Sequence, residues 1–472
     1  MTMWTGEDIA RLDIPGLNSY ELDVVRSLFK VWRERLPMNA KRSLYYAGEQ
    51  GMKDAGLVVP ALMKGSKFAL GWPMLAVKKH AVRSQFQGLV SAQTADPLDL
   101  REPMTRSRFS AEFSQAVHSA GQHGASLLVV SADDDGHAMA SAHSFEDSAA
   151  IWDWGTRRVG AALTISRYDE QRPAAFTVYL PESCLFIEKV GGKWAVGRVP
   201  HSLGHVPVVA VPFDPQIKRP FGRSRLTHPV MMIADMAARA YVRMEHNAEI
   251  YSSPLLAIEG LDVDESEQSP TAALRMKLAR DRAIAVTKDM DGDKPMIKQL
   301  QQATMTPHSD MLRTLAMAFS GETGIPPSSL GIIHDNPSSA EAIRAAEHDL
   351  LIDVTYQNKY VLAHAVEEAA RLMWMTMNPG EALPDEAWSM QAQFADPEFR
   401  SSTGMADVAV KLDAIEALKG TTIPLEQMYG PADIQRIEDT RRRTAGESLL
   451  DKVLASRAQA QPNTGVTDGE PG

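Results

Sequence analysis

Cysteine is almost absent from these 472 residues: Cys184 stands alone. A single thiol excludes an intrachain disulfide framework and a cysteine-based zinc site. It lies in the strand-like run Tyr179–Ile187, where a buried, inert thiol is expected. No basic segment leading into an apolar one opens the chain, so no export signal is expected. Long hydrophobic runs are missing too. Pro229–Ala238 is interrupted by Asp235 and followed by Arg239, which makes it too short and too charged to cross a bilayer. Net basic charge is also lacking, because 49 Lys and Arg face 60 Asp and Glu for a formal −11. A protein that grips nucleic acid presents a basic patch and gains affinity by displacing counterions from phosphates. Tight non-specific binding to DNA is therefore not what this balance predicts.

Catalytic and phosphate-binding signatures are missing as well. No G-x-x-x-x-G-K-[ST] loop, helix-opening G-x-G-x-x-G, G-x-S-x-G elbow or H-E-x-x-H helix occurs. His201 and His205 stand four apart, but Ser202-Leu203-Gly204 between them reads as a loop, and no acidic third ligand is near. His334-Asp335 has the form of a base with its orienting carboxylate. Followed by Asn336-Pro337-Ser338 ahead of a helix, it reads more simply as turn and cap chemistry. Asp133-Asp134-Asp135-Gly136 lacks the bidentate Glu of a calcium loop and reads as a hairpin turn. Arg441-Arg442-Arg443 reads as a solvated helix face. No metal, cofactor or catalytic residue is expected.

What is present is length enough for two to four packed modules and 24 Met, which suit irregular helix contacts. Leu22, Val25, Leu28, Phe29 and Trp32 recur at helical spacing, as do Met74, Val77, Ala81 and Val82. Pro73 suits the first turn of the second helix. From about His123 to Phe213 the pattern changes to strands: Ser126–Val130, Gly160–Ser166, Ala175–Leu180, Leu185–Val190, Ala195–Val199 and Val206–Val211. Strands beside helices give the fold class α+β.

A helix over Leu226–Ile250 follows, apolar almost all round. Its polar residues, including Asp235, Arg239 and Arg243, fall on one stripe at steps of three or four. Such a helix must be buried on several sides. Leu255–Gln301 is a mixed insertion, with strand-like Ile284-Ala285-Val286 and Met296-Ile297 around a charged turn containing Asp289, Asp291, Asp293 and Lys294. Thr306-Pro307 predicts a second helix with Thr as N-cap, closed by Gly321 and Gly324. Ser338-Ser339-Ala340-Glu341 is a capping box, and the helix it opens runs to about Met375, either kinked near Asp353–Gln357 or serving as a strut. One strand-like run, Trp388–Phe394, precedes further helices. From about Ala458 the composition reads as a disordered tail.

Several of these segments resemble the portal proteins of siphophages, especially those infecting actinobacteria. The likeness is carried by Phe221-Gly222-Arg223-Ser224-Arg225, Tyr251-Ser252-Ser253-Pro254, Glu322-Thr323-Gly324-Ile325-Pro326 and His334–Arg344, with Tyr45-Tyr46-Ala47-Gly48 and Trp72-Pro73. Gly71 stands where the family pattern shows Asn. The resemblance implies a portal fold with wing, stem, clip and crown, its long helices lining a central channel. Residues 1–225 would be N-terminal helices and α+β wing, 226–251 the first stem helix, 252–305 the clip and 306–324 the second stem helix. Residues 325–337 would hold the tunnel loop, 338–397 a long wing helix with a returning strand, 398–457 the crown and 458–472 the tail.

The implied function is a capsid-vertex ring, expected to have twelve subunits, through which double-stranded DNA is packaged and ejected. The implied partners are the terminase large subunit, the major capsid and scaffolding proteins and the head-tail adaptor, with no membrane. The place would be the virion, after assembly in the host cytoplasm. Ile332, Ile333, His334, Asp335 and Asn336 would face DNA, and Asp289, Asp291, Asp293 and Lys294 would lie in clip contacts. Arg239 and Arg243 either face DNA or pair with Asp235 or Glu245; pairing between helices or subunits is the preferred reading. A mostly acidic or neutral wall suits DNA that must slide. Two other readings stand beside this one. A DNA-processing enzyme using His334 and Asp335 is disfavoured by the missing catalytic constellation. A minor head or head-completion protein is disfavoured by the stem–clip–stem order.

Overall fold

The structure is a computed structural model, which describes residues 4–51, 69–91, 94, 96–251, 256–259, 296–299, 304–331, 340–398, 402–415 and scattered positions in 425–443. Helices and strands mix as α+β. The chain forms two compact units, one of Met1–Ala40, Val77–Arg225 and Leu350–Gly472, the other of Lys41–Ala76 and Leu226–Asp349.

The N-terminal helices are α1 (Gly6–Ala10), α2 (Ser19–Ala47), α3 (Trp72–Ala81), α4 (Arg101–Arg106) and α5 (Phe109–His123). Thr5 and Asp8 form a capping box at the start of α1. Asn18 and Glu21 do the same at α2, each side chain accepting the other's backbone N–H at 2.8 and 3.0 Å. Strands follow as β1 (Phe86–Val90), β2 (Ala125–Ala132), β3 (Ala138–Ser144), β4 (Ser148–Asp153), β5 (Arg158–Asp169), β6 (Arg172–Tyr179), β7 (Ser183–Val190), β8 (Lys193–Pro200) and β9 (Val208–Pro212). Next come α6 (His228–Tyr251), the pair β10 (Leu256–Glu259) and β11 (Met296–Gln299), and α7 (Thr306–Thr323). Then α8 (Ala340–Gln357) passes through a π-helical turn, Asn358–Leu362, into α9 (Ala363–Met377), and β12 (Gln391–Phe394) follows.

In the first unit, β4 to β8 form an antiparallel sheet in sequence order. Inward residues Leu163, Phe176, Val178, Leu185 and Ile187 pack on Val25, Leu28, Phe29 and Trp32 of α2. Phe29 is the centre, meeting Trp4, Phe176 and Trp32 edge-on at centroid distances of 4.8, 4.9 and 6.1 Å. The Trp32 indole N–H donates to the Glu146 carbonyl, 2.7 Å. Arg198 on β8 grips the buried Glu21 carboxylate through both its oxygens. A second sheet has the order β3-β2-β9. Strand β2 is buried on both faces. Leu128 and Val130 join α5 and α9 in one core, and Leu127 and Val129 join Phe145, Val159 and Phe221 in another.

Four of the six expected strand runs between Ser126 and Val211 lie wholly in a strand, while Ala175–Leu180 overruns β6 by one residue and Val206–Val211 begins two residues before β9; Asp133–Gly136 is the β2–β3 turn. The run Trp388–Phe394 is shorter than expected. Glu386–Ser389 is a helical turn, and only Gln391–Phe394 pairs, with β1.

Candidate functional site

In the second unit, α6 and α7 pack along each other. Val230, Met231, Ile233, Ala234, Ala237, Ala238, Ala240 and Val242 of α6 are buried, as the nearly all-round apolar pattern requires. Leu315, Ala316 and Phe319 supply the buried face of α7. The Trp72 ring lies 5.4 Å from Phe319, and its indole N–H donates to the Leu330 carbonyl at 3.2 Å. Asn247 of α6 hydrogen-bonds His308 of α7. Gly324 ends α7 in a left-handed conformation, φ +69°, its N–H returning to Ser320 O. The start differs from expectation. Met305 is the N-cap residue, its backbone already helical, so Thr306 and Pro307 occupy the first turn and the Thr306 hydroxyl caps nothing.

The polar stripe of α6 begins with a contact that its spacing does not announce. Asp235 accepts the Tyr45 hydroxyl at 2.7 Å. Burial, and then the bond to Asp235, push the Tyr45 phenol far above its ordinary value, so it stays a donor. The carboxylate is thus engaged by a phenol rather than by Arg239, although Arg239 lies close enough to act on Tyr45. Among the described residues neither Arg239 nor Arg243 forms an ion pair. Arg243 is exposed and Arg239 half-buried. Tyr45→Phe is expected to lower stability by about 1–2 kcal/mol by stranding the half-buried carboxylate. Thermal melting checks this, and a melt unchanged from wild type would refute the role given to the bond.

Phe221–Arg225, central to the resemblance, buries Phe221, Ser224 and Arg225 in the first unit and leaves Arg223 exposed. Phe221 packs edge-on against Phe145 and Trp152, each at 5.6 Å. The Arg35 guanidinium sits over both Phe145 and Phe221 at 5.4 and 5.2 Å. Gly222 has φ +64°, and a Cβ there would fall 1.9 Å from the Phe213 carbonyl oxygen, so only glycine fits. Arg223 donates its backbone N–H to Phe213 O and its guanidinium to Asp214. Ser224 Oγ donates to the α5 carbonyls of Gly121 and Gln122, and Arg225 N–H bonds Gly121 O at 2.8 Å. The Arg225 side chain is buried and lies over the Phe213 ring at 5.3 Å. Burial lowers its pKa to about 10, with Asp353 opposing the shift, so it remains a cation near neutrality.

Gln357 closes this arrangement from α8. Its amide donates to Pro212 O at 2.8 Å and accepts the Asp214 N–H at 3.4 Å. The π-helical turn begins at the next residue, so the expected kink near Asp353–Gln357 takes the form of a wide turn just beyond it. Sequence reasoning missed Tyr45 and Gln357 as partners. Each lies far along the chain from what it contacts, and the one local signal was a polar residue on an otherwise apolar helix.

The candidate DNA-facing residues Ile332, Ile333, His334, Asp335 and Asn336 lie outside the described residues, as do Asp289, Asp291, Asp293 and Lys294. Ser338 and Ser339 of the expected capping box, the Ile284–Val286 strand and the tail beyond Ala458 do so as well. His201 lies in a loop, its Nε2 hydrogen-bonded to the Leu180 carbonyl at 3.1 Å. Among the described residues, three side chains of metal-ligating type come within 4.8 Å of one another at Asp133, Asp135 and His137. The Asp133 carboxylate there accepts the backbone N–H groups of His137 and Asp135, 2.7 and 3.1 Å, which is hairpin-turn bonding. Burial pushes the half-buried Cys184 thiol up to about 11, away from thiolate chemistry.

Comparison with known proteins gives a family match, to "Phage portal protein, SPP1 Gp6-like", over residues 27–446. The chain is 28% identical over 417 residues to the portal protein of Mycobacterium phage L5, covering 84% of each chain. It is also 28% identical over 402 residues to the portal protein of Mycobacterium phage D29, covering 83% of this chain and 81% of that one. Among solved structures it is similar to a chain in the virion of a native gene transfer agent particle. That match has 15% identity, TM-score 0.43, and covers 81% of this chain and 90% of the other. It is similar also to a chain in the neck of that particle, computed with C12 symmetry, at 15% identity and TM-score 0.44, covering 82% and 98%.

Proposed function

The chain belongs to the SPP1 Gp6-like family of phage portal proteins, and from that premise we propose that it forms the ring at one capsid vertex through which double-stranded DNA is packaged and ejected. The observation that carries this reading is the reach of the family match, residues 27–446, which takes in most of both compact units. The role is structural, in the virion, with no catalytic residue. The work of translocation falls to the terminase.

In this reading α6 and α7 are the stem helices, 252–305 the clip, 325–337 the tunnel-loop region, 338–397 the long wing helix with its returning strand, and 398–457 the crown. The helix pair supports the assignment. Its buried faces are satisfied within the chain, while Met232 and Tyr241 of α6 and Met311 and Met317 of α7 remain exposed. Large apolar side chains left on a helix surface suit contact with another copy of the chain. Arg239 and Arg243, unpaired among the described residues, are left for intersubunit pairing or for the channel. Ile332 to Asn336 are proposed to face DNA. Asp289, Asp291, Asp293 and Lys294 are proposed to meet the terminase during packaging and the head-tail adaptor afterwards. Capsid and scaffolding proteins are the remaining proposed partners.

Negative-stain electron microscopy of the full chain tests this directly. Closed rings, twelve-fold, with a central hole wide enough for a duplex are expected, either alone or after co-expression with scaffolding and capsid proteins. Only monomers or dimers under both conditions would refute the ring and return the minor-head reading.

A further inference from the structure

The buried contacts around Phe213 carry a consequence for how this protein responds to acid. Three elements of the first unit meet there: the C-terminal turn of α3, the segment Pro212–Arg225, and the end of α8 just before the π-helical turn. His80 of α3 is 2% exposed, and its ring meets Phe213 edge-on at 5.1 Å. The Arg225 guanidinium lies on the same Phe213 ring at 5.3 Å. His80 hydrogen-bonds the backbone of Asp353 in α8. Its Nε2 has no hydrogen-bond partner among the described residues. A neutral imidazole tolerates this, because an unbonded ring nitrogen is only an unused acceptor. A protonated one does not, because it would be a buried cation with an unsatisfied donor.

We propose that His80, Arg225 and Phe213 form an acid-labile latch that holds the segment Pro212–Arg225 against α3 and α8 while His80 is neutral and releases it when His80 takes up a proton. The charged groups facing His80 are Arg225 from the latched segment and Arg83 just beyond α3, both cations. From α8 comes the backbone of Asp353; its carboxylate acts on Arg225. Of these only the Asp353 backbone bond favours the protonated ring, and burial with the two cations outweighs it. Burial first, then Arg225, hold the His80 imidazole well below its ordinary value of 6.5.

The sign of the pH effect follows. A histidine whose folded value is depressed contributes its full stability above the unfolded value, and loses it as pH falls below that value towards the folded one. Because opening takes up one proton, the open fraction rises about tenfold for each pH unit below 6.5 until the folded value is reached. What opens is specific. Gln357 clamps both ends of the Pro212–Asp214 link, and Arg223, Ser224 and Arg225 tie the remainder to Phe213, Asp214 and α5. Release at Phe213 therefore frees the residues that immediately precede α6 in the chain, and loosens the helix at its π-helical turn.

Hydrogen–deuterium exchange on the full chain at pH 7.5 and 5.0, corrected for intrinsic exchange rates, tests the latch. Peptides spanning 208–225 and 350–362 are expected to exchange more than tenfold faster at pH 5.0, with those from β5 to β8 unchanged. His80→Gln, which cannot take up the proton, is expected to keep its pH 7.5 protection at pH 5.0. Equal protection of the wild type at both values, or equal acid loss in His80→Gln, overturns the proposal. If the variant does not fold, the wild-type opening midpoint decides: below pH 6.5 supports the latch, at or above it refutes it.

Discussion

Gly222→Ala is expected to cost more than about 4 kcal/mol and to leave little soluble protein, the largest effect of any single substitution considered. Two penalties combine. A left-handed φ of +64° disfavours any side chain with a Cβ, by about 1–2 kcal/mol. The Cβ would also stand 1.9 Å from Phe213 O and 3.1 Å from Gly124 O, both backbone atoms fixed by hydrogen bonds of their own. Gly204→Ala separates the two. It has nearly the same backbone conformation, φ +71°, but open space around the position, so it should show only the conformational cost. Urea unfolding followed by tryptophan fluorescence gives both values. Indistinguishable midpoints for the two variants would mean that the Phe213 carbonyl yields and that Gly222 is not sterically obligatory.

Phe29→Ala should rank second, at about 3–5 kcal/mol. The ring is fully buried and joins Trp4, Trp32 and Phe176, so truncation removes aromatic contacts from both α2 and the five-stranded sheet and opens a cavity between them. Phe29→Leu retains most of the volume and should lose no more than about half as much. If alanine and leucine cost the same, the site collapses on truncation, and the aromatic cluster does not anchor the helix to the sheet.

The helices and strands that could be read from sequence are those whose side chains already alternate. In β5 to β7, Leu163, Ile165, Phe176, Val178, Leu185 and Ile187 recur at every second position towards α2, which shows its own core stripe as clearly. Strands β3 and β4, with sequences AMASAHS and SAAIWD, have few β-branched residues. They are strands because β2 and β5 present paired backbone edges to them. The π-helical turn has no glycine or proline to mark it, and its visible correlate is Gln357 bonding 143 and 145 residues away. The candidate site was legible to a similar degree. The apolar circumference of α6 and the glycine–proline stop after α7 could be read directly. That Asp235 would meet a tyrosine, and that Arg225 would lie buried on Phe213, depended on segments that no local window contains.

The way the second unit is gathered from two stretches of chain sets the order in which it can be completed during synthesis. Tyr45 waits for Asp235, 190 residues on, and Trp72 for the Leu330 carbonyl, 258 residues on. At a ribosomal rate of about 5–20 residues per second, that second interval lasts roughly 13–50 s. Through nearly all of that time Trp72 has neither the Leu330 carbonyl nor the Phe319 ring to cover it. Meanwhile α2 and the five-stranded sheet already have all their residues and can close. The nascent protein therefore carries a closed helix-and-sheet module while an apolar segment still awaits its partners, and that interval is when a chaperone or a second nascent chain would find it.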